Sequence, residues 1–205
     1  MPRKTTKVKD KWREKTWLQV YAPSTFGSVA VAKIPVTDVA NAAVRTVETT
    51  LFDLLKQDPN HYNIKLYMKI ERVEGDNAYT IFKGHEYSRE FMRSLVRRGS
   101  SMVNYVSDYK TRDGYVLRIY VIAFTEGRVN GSKKAGIRKA ADKILKEKAS
   151  SMTYDQFVQE IVLNKVASDI FNEAKKVTAL RHLGIRKTKL ILQPSKVEEK
   201  ASTPA

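Results

Sequence analysis

The chain contains no cysteine. That excludes disulfides, thiolate nucleophiles and cysteine-ligated zinc. Histidine is nearly as scarce: His61, His85 and His182 stand far apart, and none has a second ligand at metal-binding helical spacing. Acidic residues are in deficit, 22 against 38 lysines and arginines. They are scattered among basic neighbours, and no pair stands out as an acid and a base. Long apolar runs are absent too. No segment reaches the length of a membrane span. The basic start MPRKTTKVKDKW lacks the apolar stretch of a signal peptide. The segment Gly127 to Lys134, GRVNGSKK, sets its glycines too close for a phosphate loop and ends in a second lysine. These absences leave no catalytic constellation, no metal site and no cofactor site, and predict a soluble, cytoplasmic chain that is not an enzyme.

What remains is positive charge. The formal net charge is +16 over 205 residues, which calls for an anionic partner. The apolar share of 42% is enough for a real core, so the charge is carried by a folded surface. The basic residues gather in four places. Residues 1–15 hold seven basic and two acidic side chains. Arg3, Lys4, Lys7, Lys9, Lys11, Trp12 and Arg13 read as an arm that orders on its partner. The run GHEYSREFMRSLVRRGSS from Gly84 to Ser101 carries Arg89, Arg93, Arg97 and Arg98. Three of these are four residues apart, and so are Tyr87, Phe91 and Leu95. That spacing predicts a helix with an apolar face and a guanidinium row. Like charges so placed repel, and phosphate would relieve them. Glu86 and Glu90 offer partial screening of the row. Residues 128–148 hold eight basic and two acidic side chains, with Lys133, Lys134, Arg138 and Lys139 at the front. Residues 175–189 hold six basic side chains and no acidic one, including Arg181, Arg186, Lys187 and Lys189. Separated patches suit a folded RNA that surrounds the protein better than a flat membrane. Of the aromatics, Trp17, Tyr87 and Tyr105 are assigned to the core, and Trp12 and Tyr109 to base stacking.

The local patterns predict an α+β protein. Strands are expected at Trp17–Tyr21, at Val29–Ile34 ending before Pro35, at Val44–Leu51, at Ile64–Glu71 and at Ala78–Phe82. A short helix is expected from Thr37 to Ala43. The arginine helix follows Phe82. A hairpin then joins Met102–Asp108 to Tyr115–Phe124 through Asp113-Gly114. Ile137, Ala140, Ala141, Ile144 and Leu145 stripe a basic helix. Thr153 with Gln156 opens one long helix through Val177, stopped by Gly184, and a last short strand runs near Ile185–Leu190. The expected architecture is an antiparallel, β-barrel-like core with an inserted helix and C-terminal helices. The expected organisation is a basic arm at 1–15, one RNA-binding domain at 16–192 and a disordered tail at 193–205.

Several segments resemble the small-subunit ribosomal S3Ae family of archaea and eukaryotes. They are KDKWREKTWLQVYAP (9–23), the arginine run (84–101), KTRDGYVLRIYVIAFT (110–125), KKAGIRKAADKILKEKAS (133–150), YDQFVQEIVLNKVASDIFNEAKKV (154–177) and LGIRKTKLIL (183–192). The short C-terminus resembles the archaeal form. Trp17 stands where many relatives carry another aromatic. The resemblance implies a structural role on the platform of the small subunit, near the messenger exit. It implies contact with the 3′ part of small-subunit rRNA and with neighbouring ribosomal proteins, and no membrane or small-molecule substrate. The residues alone leave other readings open: a free RNA-binding factor in processing or translation control, an RNA-acting enzyme, or a membrane-surface protein.

Overall fold

The computed structural model describes residues 12–13, 15–38, 42–43 and 45–194. Among them run eight strands and five helices. In order these are β1 (Thr16–Tyr21), β2 (Ala30–Val36), β3 (Thr46–Thr50), α1 (Leu51–Leu55), β4 (Ile64–Glu74), β5 (Asn77–Tyr87), α2 (Arg89–Leu95), β6 (Met102–Lys110), β7 (Val116–Thr125), α3 (Gly131–Ser151), α4 (Tyr154–Val162), α5 (Lys165–Lys175) and β8 (Leu180–Leu192). The arm residues Arg3, Lys4, Lys7, Lys9 and Lys11 and nearly all of the tail lie outside the described residues, as does most of the helix expected from Thr37.

Alternation makes the central hairpin. Ile64, Leu66, Met68 and Ile70 of β4 are all buried, while Lys65, Tyr67, Lys69 and Glu71 face the other way. Gly75, at φ +59°, turns the chain into β5. One edge of β5 pairs antiparallel with β4 along its length. The other edge is shared. Gln19 to Tyr21 of β1 run parallel to Asn77 to Tyr79, and further along Gly84 to Glu86 pair antiparallel with β8. The sheet therefore branches at β5. Its main path is β2-β1-β5-β8-β7-β6, with β4 and β3 hung beside β5. The α+β class and the largely antiparallel pairing match the sequence reading. The path does not close on itself, so the expected barrel goes no further than a branched, open sheet.

The main core lies between this sheet and helices α3 to α5, with Phe82, Leu117, Ile119, Ile137, Leu145, Phe157 and Ile170 at its centre. A smaller core of Leu18, Val20, Val36, Ala42, Ile70 and Ala78 fills the β1–β2 side. Asp113-Gly114 does join β6 to β7, with Gly114 at φ +85°. Thr153 and Gln156 do form the capping box of α4.

Five local expectations are corrected. Pro35 does not end β2 but pairs opposite Trp17. Its strand is an edge, where a missing N–H breaks no ladder. The strand expected at Val44–Leu51 is confined to Thr46–Thr50, because Thr50 and Asp53 close a capping box that starts α1. Residues Gly84 to Tyr87 are strand rather than helix. Ser88 caps the helix, its Oγ accepting the Phe91 amide at 3.3 Å, so α2 has only seven residues. The long C-terminal helix is two helices, broken where Asn164 takes φ +59°, a conformation asparagine tolerates. Gly184 stops no helix. It lies inside β8, where a Cβ would come 2.6 Å from Tyr87 Oη.

Candidate nucleic-acid interface

The arginine segment is built from three anchors. Ser88 fixes its start. Phe91 sets its ring edge-on to Tyr87 at 5.2 Å and to His182 at 5.8 Å. Arg181 reaches from β8 and donates through Nη2 to the Leu95 carbonyl oxygen at the helix end. Arg89 and Arg93 sit one turn apart on α2. Arg97 and Arg98 follow in the turn made by Gly99, at φ +80°. All four are exposed and none forms an ion pair among the described residues. Glu86 does not screen them, because it pairs with Lys187.

The second zone opens α3. Lys133 and Lys134 occupy its first turn, which holds no acidic residue. A helix start that already presents free amides is made more attractive to phosphate by lysines. Lys139 is exposed, and Arg138 donates from Nε to the Asn104 carbonyl at 3.1 Å. This pins the helix across the edge strand β6 and leaves the rest of the Arg138 guanidinium available.

The structure brings these two zones together. The Ser101 amide donates to Thr125 Oγ1 at 3.0 Å. Thr125 Oγ1 donates to the Gly127 carbonyl at 2.6 Å. The Val129 amide donates to Ser101 Oγ at 3.2 Å. The turn after Arg98 and the loop before Lys133 are thereby tied to one end of β7. Arg181 lies at the same end, its Cζ 5.8 Å from the Phe124 ring.

The third zone divides. Arg186 and Lys189 are exposed on β8 without an ion pair among the described residues. Lys187 is taken up by Glu86, and Arg181 is half-buried under the arginine segment. Lys189 aligns with Arg118 of β7. Arg118 Nε and Nη2 donate to Asp108 at 2.7 and 2.8 Å. That hydrogen bond, then the guanidinium charge, holds the Asp108 carboxyl below the usual carboxylate range. A cation so neutralised adds little field for an incoming phosphate.

Two aromatic assignments are reversed. Tyr109 is only 4% exposed, and its Oη donates to Asp142 at 3.0 Å, so it belongs to the core. Trp17 is 58% exposed and lies on the surface. Trp12 is exposed as expected, with Lys15 Nζ 3.7 Å above its ring. Tyr87 is core, as expected. Tyr105 packs against the core, its Oη donating to Asp142 at 2.6 Å.

Among the described residues no group of three metal-ligating side chains gathers, and no helix is long and apolar enough to cross a membrane. A family model described as the ribosomal S3Ae family matches residues 3–194, nearly the whole chain.

The chain belongs to the ribosomal S3Ae family.

Relatives agree. Small ribosomal subunit protein eS1 of Sulfurisphaera tokodaii is 46% identical over 190 residues, covering 93% of this chain and 98% of the relative. The eS1 protein of Desulfurococcus amylolyticus is 43% identical over 188 residues, 92% of this chain and 88% of the relative. That of Saccharolobus islandicus is 43% identical over 187 residues, 91% and 89%. These are archaeal proteins, as the resemblance implied. A member of this ribosomal family is a structural protein and not an enzyme. Segments that resemble the S3Ae family fall on the arginine segment, on α3 and on β8, the elements that carry Arg89, Arg93, Lys139, Arg186 and Lys189.

Sequence reasoning on this S3Ae chain missed Trp17 as a surface residue. The signal was present in Leu18 and Val20. Two aliphatics at alternate positions of β1 claim the inner face, which turns Trp17 and Tyr21 outward.

Proposed function

We propose that this protein is a structural constituent of the small ribosomal subunit, clamping small-subunit rRNA by charge. It sits on the subunit platform near the messenger exit, against the 3′ part of that RNA and beside other small-subunit proteins. Its place is the cytoplasmic ribosome. One observation carries the reading: Arg97 and Arg98 and the lysine-rich start of α3 are tied to one end of β7 through Ser101 and Thr125. Two runs distant in sequence thus become one cationic surface. Phosphates there replace small cations, and release of those counterions favours binding. Arg186 and Lys189 extend the contact along β8. Arg3, Lys4, Lys7, Lys9, Lys11, Trp12 and Arg13 add an N-terminal arm. Residues 16–192 act as one unit, supported by a main core that spans the sheet and helices α3 to α5. The family and the eS1 relatives support the assignment to the small subunit.

Sedimentation tests it. The protein is expected to travel with small subunits through moderate salt, near one copy per particle. Crosslinks from the arginine segment are expected on the 3′ part of the RNA. A chain that binds RNA but stays free of subunits in the gradient would instead mark a separate RNA-binding factor.

A further inference from the structure

We propose that the outward face of β1 and β5 is a stacking platform for unpaired bases of single-stranded RNA. The proposal rests on the RNA-binding reading and names the form of RNA this second face takes. Leu18 and Val20 are buried at 2% and 0%, so Trp17, Gln19 and Tyr21 form the outer row of β1. Neighbours in that row stand about 6.8 Å apart. Tyr21 aligns with Tyr79 of β5, and their rings stack at 5.9 Å with 24° between planes. Tyr79 aligns in turn with Arg72 of β4, whose Cζ lies 4.8 Å over its ring. On the other side, Pro35 of β2 stands opposite Trp17 and Lys33 stands opposite Gln19. Four strands therefore assemble three aromatic rings with cations at both margins.

The chemistry of this face selects its occupant. Trp17 leaves 58% of its surface exposed, at a hollow it lines with Trp12, Arg13 and Lys15, and a base stacked there would take apolar area out of water. Flat rings beside lysine and arginine suit a base with its phosphate. Gln19 and Asn77, aligned between the rings, offer amides to a base edge. A duplex hides its base faces and cannot use the platform. The face differs from the arginine surface, where cations dominate and no such row of rings is exposed. Arg72 is partly neutralised by Glu74 at 3.5 Å, so ring stacking rather than charge carries this contact.

The chain has two tryptophans, Trp12 and Trp17, so indole fluorescence reports on this site. The full chain carrying Trp12→Phe is titrated with a short oligouridylate, with the same strand in a duplex, and with inorganic polyphosphate. Single strands are expected to quench Trp17, and duplex and polyphosphate to bind without quenching. In the otherwise native chain, Trp17→Ala is expected to weaken single-strand binding at least about fivefold, the lower end of a stacked base. The salt dependence is expected to stay unchanged, because every phosphate keeps its cation. Trp17→Phe is expected to recover most of the affinity. Thermal melting should show both variants folded, since the side chain is exposed. If labelled single strands bind while Trp17 emission and Trp17→Ala affinity stay as in the parent, the platform is overturned and RNA binding stands. If no RNA binds at all, both readings fall.

Discussion

Gly84 approaches Thr188 so closely that a Cβ on the glycine would stand 2.2 Å from the threonine carbonyl oxygen. The obstacle is backbone and cannot swing aside. Only Gly84, His85 and Glu86 pair β5 with β8, so this contact joins the central hairpin to the strand that carries Arg186 and Lys189. Gly84→Ala must push the two strands apart. A loss of at least about 2 kcal/mol is expected, seen as a lower urea midpoint with an unchanged slope. Gly99→Ala is the control, with φ +80° but no atom within 4 Å. It should cost about 1 kcal/mol, the ordinary penalty of that backbone conformation. Equal effects from the two substitutions would refute the account.

The same seam holds a buried histidine. His85 is 1% exposed. Its Nε2 meets the Ile185 carbonyl at 3.0 Å, which can only accept, so Nε2 carries the proton. Its Nδ1 meets Thr188 Oγ1 at 2.9 Å and accepts the hydroxyl proton, while that oxygen takes the His85 amide at 3.1 Å. The neutral ring satisfies every bond. Burial pushes its pKa down from 6.5 to about 4, against the Ile185 bond and the Glu86 charge, which raise it. Below 6.5 the unfolded chain binds a proton that the native chain refuses, so stability rises with pH in this window. The His85 contribution is full above pH 6.5, falls as pH drops, and levels off near 4. The loss across it is expected to reach roughly 3 kcal/mol. Urea unfolding at stepped pH checks this. His85→Gln should flatten the slope in that window, and a slope unchanged by the substitution would exclude His85 as its source.

Local chemistry made much of the fold legible. The alternation of β4, the Asp113-Gly114 turn, the Thr153 capping box and the Ile137-Ala141-Leu145 stripe each encode their element within a few residues. The failures share a cause. Tyr87, Phe91 and Leu95 repeat every fourth residue and imitate a helix, yet Gly84 to Tyr87 are drawn into the sheet by β4 and by a strand about 100 residues away. Pro35 is tolerated because β2 has no outer neighbour, a fact of topology rather than of sequence. Asn164 divides two helices at a residue that also accepts the Tyr87 hydroxyl at 3.0 Å. Gly184 lies in a strand because Tyr87 needs the space.

The interface was legible as charge and not as geometry. Composition alone identified the cationic runs. It gave no sign that Arg181 and Lys187 are occupied by Leu95 and Glu86, since both contacts span 86 residues or more. Composition did not separate Tyr109 from Trp17 either: for Trp17 the signal lay in the alternation of Leu18 and Val20, while the burial of Tyr109 depends on Asp142 of a distant helix.

Arg181 and Arg186 therefore should not behave alike. Arg181→Ala removes the donor that holds the end of α2 and uncovers the Phe124 ring. It is expected to lower stability by about 1 to 3 kcal/mol and to speed amide exchange across residues 89–96. Arg186→Ala removes an exposed cation. It is expected to leave melting within about 0.5 kcal/mol of the parent and to weaken RNA binding. If both variants change only RNA affinity, the structural role of Arg181 is wrong.

Arg93 and Arg97 test the clamp itself. Both are exposed, and neither has an ion pair among the described residues. Each therefore enters a complex without first breaking a partner, and each phosphate it meets releases counterions. The dependence of log K on log salt falls by about 0.7 to 0.9 for each phosphate left without its cation. The double variant Arg93→Ala with Arg97→Ala should thus lower the slope by about 1.4 to 1.8 for subunit RNA, with folding intact. Lysine at both positions should restore the slope, since charge sets counterion release. It should not restore the full affinity, since lysine lacks the planar fork that binds phosphate through two bonds. A slope unmoved by the alanines would mean that these guanidiniums face solvent in the complex, and the cationic surface at the Thr125 end would then lose its assigned partner.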